Sequence, residues 1–215
     1  ITLRLASGGY IGGGLYHSQN IEGALTTLPG ARIVCPSFAD DAAGLLRTSM
    51  RSKGFTLFLE PKALYNSVEA SAIVPEGFEV PFGKARIRRE GTDLSMITYG
   101  NTTHFCLSVA ERLAQEGWSV EVIDVRSLIP LDKETIYESV KKTSKAMVVH
   151  EDKVFSGFGA EIAAGIGTEM FRYLDAPVQR IGSTFTPVGF HPVLEKAILP
   201  SEDKIYEAAK TLLAY

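Results

Sequence analysis

Residues 32–59 read RIVCPSFADDAAGLLRTSMRSKGFTLFL, two apolar runs on either side of a segment of helical character. Both runs, Arg32–Pro36 and Phe55–Leu59, have the length of buried strands. Asp40 or Asp41 is expected to cap the helix between them. The inner side of that helix is predicted to carry Ala42, Ala43, Leu45, Leu46 and Met50. A strand, a helix and a strand joined by short links favour a parallel sheet with crossover helices, and therefore an α/β fold.

The composition excludes several classes of protein. The chain has 215 residues, of which 45% are hydrophobic and 22% charged, and a net charge of −3. No apolar run reaches the ~18 residues of a membrane span, and no basic run predicts a nucleic-acid or lipid partner. Cys35 and Cys106 lie in apolar runs and are expected to be buried free thiols. Such thiols are typical of a reducing compartment, here the cytosol or the matrix of an organelle.

The pattern divides the chain into two units. Residues 1–65 hold the first α/β pattern, and because the chain opens inside a strand-like alternation we expect it to be a fragment. Residues 66–83 contain two prolines and two glycines without a clear period, which predicts a linker. Residues 84–215 have the size of a second α/β domain. Its predicted strands are 85–89, 94–99, 120–125, 146–150 and 178–181, and its predicted helices are 103–116, 132–143, 159–173 and 202–213.

A glycine cluster precedes the first candidate for chemistry. Five of the seven residues 8–14 are glycine, and His17 follows beside Ser18 and Gln19. Glycines permit the close approach of a ligand or a partner chain, although a plain flexible loop would have the same composition. A histidine on a strand-to-helix loop of an α/β sheet lies near the usual ligand crevice, which favours proton transfer. An ordinary surface or core histidine is the alternative.

The segment GFGAEI, residues 157–162, predicts the start of a helix. Its free amides could hold an anion, or its glycines could simply allow the helix to pack closely on the sheet. The sequence leaves both interpretations open. The dinucleotide motif G-x-G-x-x-G is incomplete here and in the glycine cluster, and no nucleophile elbow, C-x-x-C pair or zincin motif occurs.

Four segments in order resemble one family: GLYHSQ at 14–19, FLEPKALY at 58–65, VIDVRSLIPLD at 122–132 and GFGAEI at 157–162. Together they resemble the beta subunit, or beta half, of the thiamin-diphosphate-dependent decarboxylating component of 2-oxoacid dehydrogenase complexes. The first two segments are most similar to the branched-chain (2-oxoisovalerate) type. The resemblance implies the second half of a pyrimidine-binding domain at 1–65 and a transketolase C-terminal-like α/β domain at 84–215.

The resemblance also implies an activity, cofactors and partners. Such enzymes oxidatively decarboxylate a 2-oxoacid on thiamin diphosphate and transfer the acyl group to lipoamide. The alpha subunit or alpha half would hold the diphosphate and Mg²⁺, and the glutamate that activates the cofactor would lie upstream of Ile1, so the isolated chain is expected to be inactive. The other implied partners are a second beta copy, in a heterotetramer or fused homodimer, and the lipoyl acyltransferase core. The small-residue helix 159–167 is expected to contribute to these contacts.

The family's site residues map onto few positions of this chain. The family histidine corresponds to His17, which would donate a proton when the lipoyl disulfide opens. Imidazole, with an ordinary pKa of about 6.5, suits that step at neutral pH. Family members also bind K⁺, largely through main-chain carbonyls. The positions that match those ligands are Thr2, Ser49, Ser52 and Gly54.

Two other functions remain open from the sequence. One is a different thiamin-diphosphate enzyme, such as a transketolase or a deoxyxylulose-phosphate synthase, which would need a basic site for sugar phosphates. The other, for this chain alone, is a non-catalytic dimerisation and docking module.

Overall fold

Two β-sheets form the frame of the chain, and the computed structural model describes every residue from Ile1 to Tyr215. The strands are β1 Thr2–Ser7, β2 Ala31–Val34, β3 Phe55–Pro61, β4 Arg86–Arg89, β5 Leu94–Thr98, β6 Val120–Asp124, β7 Ser127–Ile129, β8 Ala146–Lys153 and β9 Gln179–Ser183. The helices are α1 Gly14–His17, α2 Glu22–Leu25, α3 Ala39–Arg51, α4 Thr102–Ala114, α5 Lys133–Thr143, α6 Phe158–Glu169, α7 Pro192–Ile198 and α8 Glu202–Leu213. The predicted α/β fold is confirmed.

The first sheet has the strand order β1-β3-β2-β7. Its first three strands are parallel, as the pattern of residues 32–59 predicts, whereas β7 runs antiparallel to β2. The sequence analysis did not predict β7, a strand of three residues that lies opposite Ile33 and Val34. Because β7 comes from residues 84–215, the sheet of the first unit is completed by the second.

The second sheet has the order β4-β6-β5-β8-β9, parallel except for β4. Successive residues of a strand face opposite sides. Met96 accordingly packs with residues of α4 and α8, and its neighbour Ile97 packs with residues of α5 and α6. The layer that holds Ile97 continues into Leu57 and Leu59 of the first sheet. One apolar core therefore joins the two sheets.

The predicted cap of α3 is wrong. Phe38 occupies the N-cap position, and the two aspartates lie in the first turn of the helix. Asp41 is fully buried and bound by the guanidinium groups of Arg88 and Arg126 instead of capping. Met50 is also not on the inner side: it is 73% exposed, because the buried positions of α3 follow the row Asp41, Gly44, Leu45 and Ser49.

Residues 66–83 contain no helix or strand, and they lie against α3. Val80 is buried in a small apolar cluster with Leu45. The Thr48 hydroxyl donates to the carbonyl of Val80 at 2.8 Å, and Arg47 donates to the carbonyl of Phe78 at 2.9 Å. This connecting segment is therefore packed against the first unit.

The glycines of the GFGAEI segment allow α6 to approach β8 closely. A Cβ atom at Gly159 would lie 2.2 Å from Cδ2 of His150, and one at Gly157 would lie 2.8 Å from Cε1 of the same ring. Both distances are shorter than real Cβ contacts, so neither glycine can be replaced without movement. The structure thus supports the packing interpretation of these glycines.

Cys35 and Cys106 are buried and unpaired, as predicted. Burial raises the pKa of the Cys106 thiol to about 12, so this thiol stays protonated and unreactive. No helix of the chain has both the length and the apolar character that crossing a membrane would require.

Candidate functional site

The glycine loop, residues 8–14, leaves the carboxyl end of β1 and leads into α1. Its backbone has positive φ at Gly8 (89°), Tyr10 (62°), Gly12 (62°) and Gly14 (60°). At Gly8 a side chain is also excluded by space, since a Cβ atom would lie 2.8 Å from Oε1 of Glu151. The close approach that the glycines permit is thus made by other parts of this chain.

Two carboxylates of residues 84–215 bind this loop. Glu151 Oε1, at the end of β8, accepts from the Gly9 amide at 2.5 Å and from the Asn20 side-chain amide at 2.9 Å. Glu195, in α7, accepts from the Gly12 amide through both oxygens at 3.3 Å. The loop is therefore held against the second unit at two separate amides.

His17, the predicted proton donor, is the last residue of α1, and its side chain is exposed. Its ring makes no hydrogen bond within the chain. The exposed apolar side chains of Leu15 and Tyr16 precede it, and Phe190, 75% exposed, packs on Gly14. His17 thus lies at a surface that combines an imidazole without an internal partner and exposed apolar side chains.

A buried acidic group, which the sequence analysis missed, lies beneath the loop at the carboxyl ends of β5 and β8. Glu22 Oε1 accepts from the Tyr99 hydroxyl at 3.2 Å, whereas its buried Oε2 has no partner. Burial first, and then the charge of Asp152, raises the pKa of Glu22 to about 8. Burial likewise raises the pKa of Glu151, against the hydrogen bonds that it accepts. The available signal was three polar residues, 150–152, at the end of a buried strand.

Glu22 makes the stability of the fold depend on pH. The folded chain keeps the Glu22 proton up to about pH 8, whereas the unfolded chain loses it near the ordinary value of 4.5. The unfolded state therefore binds fewer protons between these limits, and the free energy of unfolding falls as pH rises through that window. We expect the free energy of unfolding of Glu22→Gln, relative to that of the wild type, to increase by a few kcal/mol (order of magnitude) between pH 5 and pH 8.

Urea unfolding at pH 5, 6.5 and 8 measures this difference. Glu111→Gln is the matched control, because Glu111 is exposed and has no partner among the ion pairs of the chain. A Glu22→Gln advantage that does not grow with pH would contradict the assignment of a proton to Glu22.

The four positions matched to K⁺ lie at the other end of the first sheet. Thr2 begins β1, and Ser49, Ser52 and Gly54 lie where α3 turns into β3. The hydroxyls of the two serines bond to carbonyls of their own helix, each at 2.7 Å, and the Gly54 carbonyl accepts from the backbone nitrogen of Ile1 at 2.7 Å. These residues are thus separated from His17 by the length of β1, roughly 17 Å.

A cavity of about 400 Å³ opens between α3 and β3. Its walls include the apolar side chains of Phe38, Leu46 and Phe58. At its edge the carboxylate of Glu60 is bound by Arg4 through one oxygen and by the Tyr65 hydroxyl, at 2.8 Å, through the other. The cavity is therefore apolar, with a carboxylate whose two oxygens are already engaged.

Comparison with known protein families shows to which family this chain belongs. Residues 1–68 match the pyrimidine-binding domain of transketolase, and residues 83–205 match the C-terminal domain of transketolase. The chain belongs to the transketolase C-terminal domain family. This result bears out the family resemblance of the four sequence segments, since both domains occur in the expected order.

Two curated relatives are beta subunits of 2-oxoacid dehydrogenases. The chain is 38% identical over 216 residues to the 2-oxoisovalerate dehydrogenase subunit beta of Bacillus subtilis, covering all of this chain and 66% of that protein. It is 40% identical over 214 residues to the pyruvate dehydrogenase E1 component subunit beta-1, mitochondrial, of Arabidopsis thaliana, covering 98% of this chain and 58% of that protein. The chain thus spans about three-fifths to two-thirds of these two relatives.

Solved structures share the fold. A split-gene transketolase, described as an inactive beta4 tetramer, has a TM-score of 0.77 and 20% identity, covering 99% of this chain and 66% of that one. The transketolase mutant H261F from Pichia stipitis has a TM-score of 0.68 and 11% identity, covering 99% of this chain and 30% of that one. At these identities the likeness extends to the fold alone.

Proposed function

We propose that this chain is the beta part of a thiamin-diphosphate-dependent 2-oxoacid dehydrogenase that transfers the acyl group to lipoamide. The observation that carries the proposal is an identity of 38–40% over nearly the whole chain to beta subunits of two such dehydrogenases. An alpha subunit or alpha half, a second beta copy and a lipoyl acyltransferase core are its proposed partners. A bacterial cytoplasm or a mitochondrial matrix is its proposed location.

The residues of this chain do not fit the whole cofactor by themselves. Glu60, the carboxylate at the cavity beside β3, is already bound by Arg4 and Tyr65. No three His, Cys, Asp or Glu side chains are grouped so that they could hold a metal ion. The diphosphate and Mg²⁺ sites, and the activating glutamate, are therefore proposed to come from residues outside this chain.

His17 is proposed to hold a proton for the lipoyl group. When the dithiolane ring opens, the S–S bond breaks, one sulfur bonds to the acyl carbon and the other takes a proton. An exposed imidazole with no internal partner can deliver that proton from a ring nitrogen. At the opposite end of β1, main-chain carbonyls at Thr2, Ser49, Ser52 and Gly54 are proposed to hold K⁺.

The substrate is proposed to be a branched-chain 2-oxoacid, because the segments GLYHSQ and FLEPKALY are most similar to the branched-chain type. Acetoin is a second candidate substrate. The chain is 37% identical to the acetoin:2,6-dichlorophenolindophenol oxidoreductase subunit beta of Bacillus subtilis, covering 99% of this chain and 62% of that protein. The test uses the natural subunit that contains these residues, assembled with its alpha partner and supplied with thiamin diphosphate and Mg²⁺.

We expect turnover of 2-oxoisovalerate in that assay to exceed turnover of pyruvate and of acetoin. Faster turnover of pyruvate would overturn the branched-chain proposal but keep the dehydrogenase, and faster turnover of acetoin would favour the second candidate. Turnover of sugar phosphates alone would replace the proposal by a transketolase-type activity. An assembled complex without any turnover would leave the docking module as the function of this chain.

A further inference from the structure

Residues on both sides of His17 are hydrogen-bonded to carboxylates from the second unit. On one side, the Gly9 amide donates to Glu151, and the Gly12 amide donates to Glu195. On the other side, the Ser18 hydroxyl lies 3.4 Å from Glu195 Oε1. The same hydroxyl accepts from the Gly13 amide at 3.0 Å, which closes the turn around His17.

These bonds hold a backbone that would not otherwise keep its shape. Four residues of the loop have positive φ, and Tyr10, unlike the glycines, is strained there. Such a conformation persists only where its surroundings fix it. Glu151, 6% exposed, is shielded from water, so solvent competes little for the hydrogen bonds that it accepts.

Two apolar contacts reinforce the carboxylates. The Tyr10 ring packs edge-on against Phe105 at 5.3 Å, and its hydroxyl donates to the carbonyl of Pro200 at 2.8 Å. A Cβ atom at Gly9 would lie 2.6 Å from Leu199. The loop is therefore fitted to the second unit along its length, although the His17 ring makes no hydrogen bond to any of these groups.

We propose that Glu151 and Glu195 are positioning residues for His17, which fix its backbone so that the imidazole stays where the lipoyl group arrives. This inference rests on the proposed function. A displacement of about 1 Å in a reacting group can lower a rate 10²-fold. The hydrogen bonds to Glu151 and Glu195 on either side of His17 can therefore affect the rate of acylation.

The first measurement is hydrogen exchange of the chain, which needs no activity. We expect amides of residues 8–18 to exchange about tenfold faster in Glu195→Ala, and to a smaller extent in Glu195→Gln, which keeps the volume and one acceptor. Glu207→Gln, an exposed residue of α8, is the control. Unchanged exchange in both Glu195 variants would overturn the proposal, whatever His17 does.

The second measurement uses the assembled enzyme. In Glu195→Gln we expect kcat for acylation of a lipoyl domain to fall about tenfold, with little change in KM and none in decarboxylation with a dye as acceptor. Ser18→Ala, which removes the side-chain partner of Glu195 and leaves the Gly12 amide, should have the same signature. A parallel loss in both assays, or no loss, would overturn the positioning role.

Glu151 is tested through its partner Asn20, because replacing the buried carboxylate itself would also disturb the fold. Asn20→Ala removes one of its two hydrogen-bond donors and should also lower kcat for acylation without changing KM. If His17→Ala leaves acylation intact, both the proposed function of His17 and its positioning are overturned. If His17→Ala abolishes acylation but Glu195→Gln, Ser18→Ala and Asn20→Ala do not change it, only the positioning role fails.

Discussion

Acylation of lipoamide is expected to fall by about 10²-fold or more when His17 is replaced by alanine in the assembled enzyme, the usual scale for loss of a general acid. Decarboxylation with an artificial electron acceptor should be unchanged, because that assay does not open a disulfide. The fold should also be unchanged, since the His17 ring is exposed and makes no hydrogen bond within the chain. Parallel measurements of lipoyl-domain acylation and dye reduction separate the two steps.

Tyr16→Phe is the matched control for His17→Ala. Tyr16 is adjacent to His17 and is 87% exposed, and its phenol is another proton donor at the same surface. We expect this variant to retain acylation, and added imidazole to restore part of the activity of His17→Ala. An equal loss in both assays would instead indicate a defect in folding or assembly, and no loss in either would remove His17 from the mechanism.

The first sheet shows how far local pattern predicts this fold. β2, α3 and β3 follow each other with short links, so the apolar runs and the helical period predict all three. β7 could not be found in this way, because a three-residue strand has no period and its partner β2 lies about ninety residues earlier in the chain. α7 was missed for a similar reason: it has seven residues and begins at a proline.

In the candidate site, too, local sequence predicts some features and contacts between distant residues determine the others. His17 could be predicted as a candidate site residue, because the glycine cluster and the segment GLYHSQ, which resembles the family, are adjacent in the sequence. The partners of its loop could not, since Glu151 lies 142 residues from Gly9 and Glu195 lies 183 residues from Gly12. A glutamate acquires such a role only through tertiary contact.

Asp41 gives the second large expected effect: Asp41→Asn should lower the free energy of unfolding by ~3–5 kcal/mol, the range for breaking a buried ion pair from one side. The Asp41 side chain is fully buried, and the guanidinium groups of Arg88 and Arg126 that it binds are only 8% and 9% exposed. Without the carboxylate both cations would keep their desolvation and lose a counter-ion. Arg88 would still have Asp124, at 2.8 Å, but Arg126 would retain only backbone carbonyls.

The position of Asp41 explains why the loss should extend beyond one contact. Arg126 adopts φ of 58°, an unfavourable conformation for a non-glycine residue, immediately before β7. Its bond to Asp41, 2.7 Å long, and its bonds to the carbonyls of Lys84 and Ala85 hold it there. Because α3 belongs to the first unit and Arg126 to the second, Asp41→Asn should weaken the pairing of β7 with β2 as well.

Urea unfolding and hydrogen exchange at Ile33 and Val34 measure the two effects of Asp41→Asn. Asp40→Asn is the control, since Asp40 pairs with Arg86, which is 45% exposed. We expect this variant to lower the free energy of unfolding by about 1 kcal/mol or less. In Asp41→Asn combined with Arg126→Met, the loss should be smaller than the sum of the single losses, because no unpaired cation remains on that side. Additive losses would show that the two side chains act independently, and the junction between the sheets would then depend on its apolar core alone.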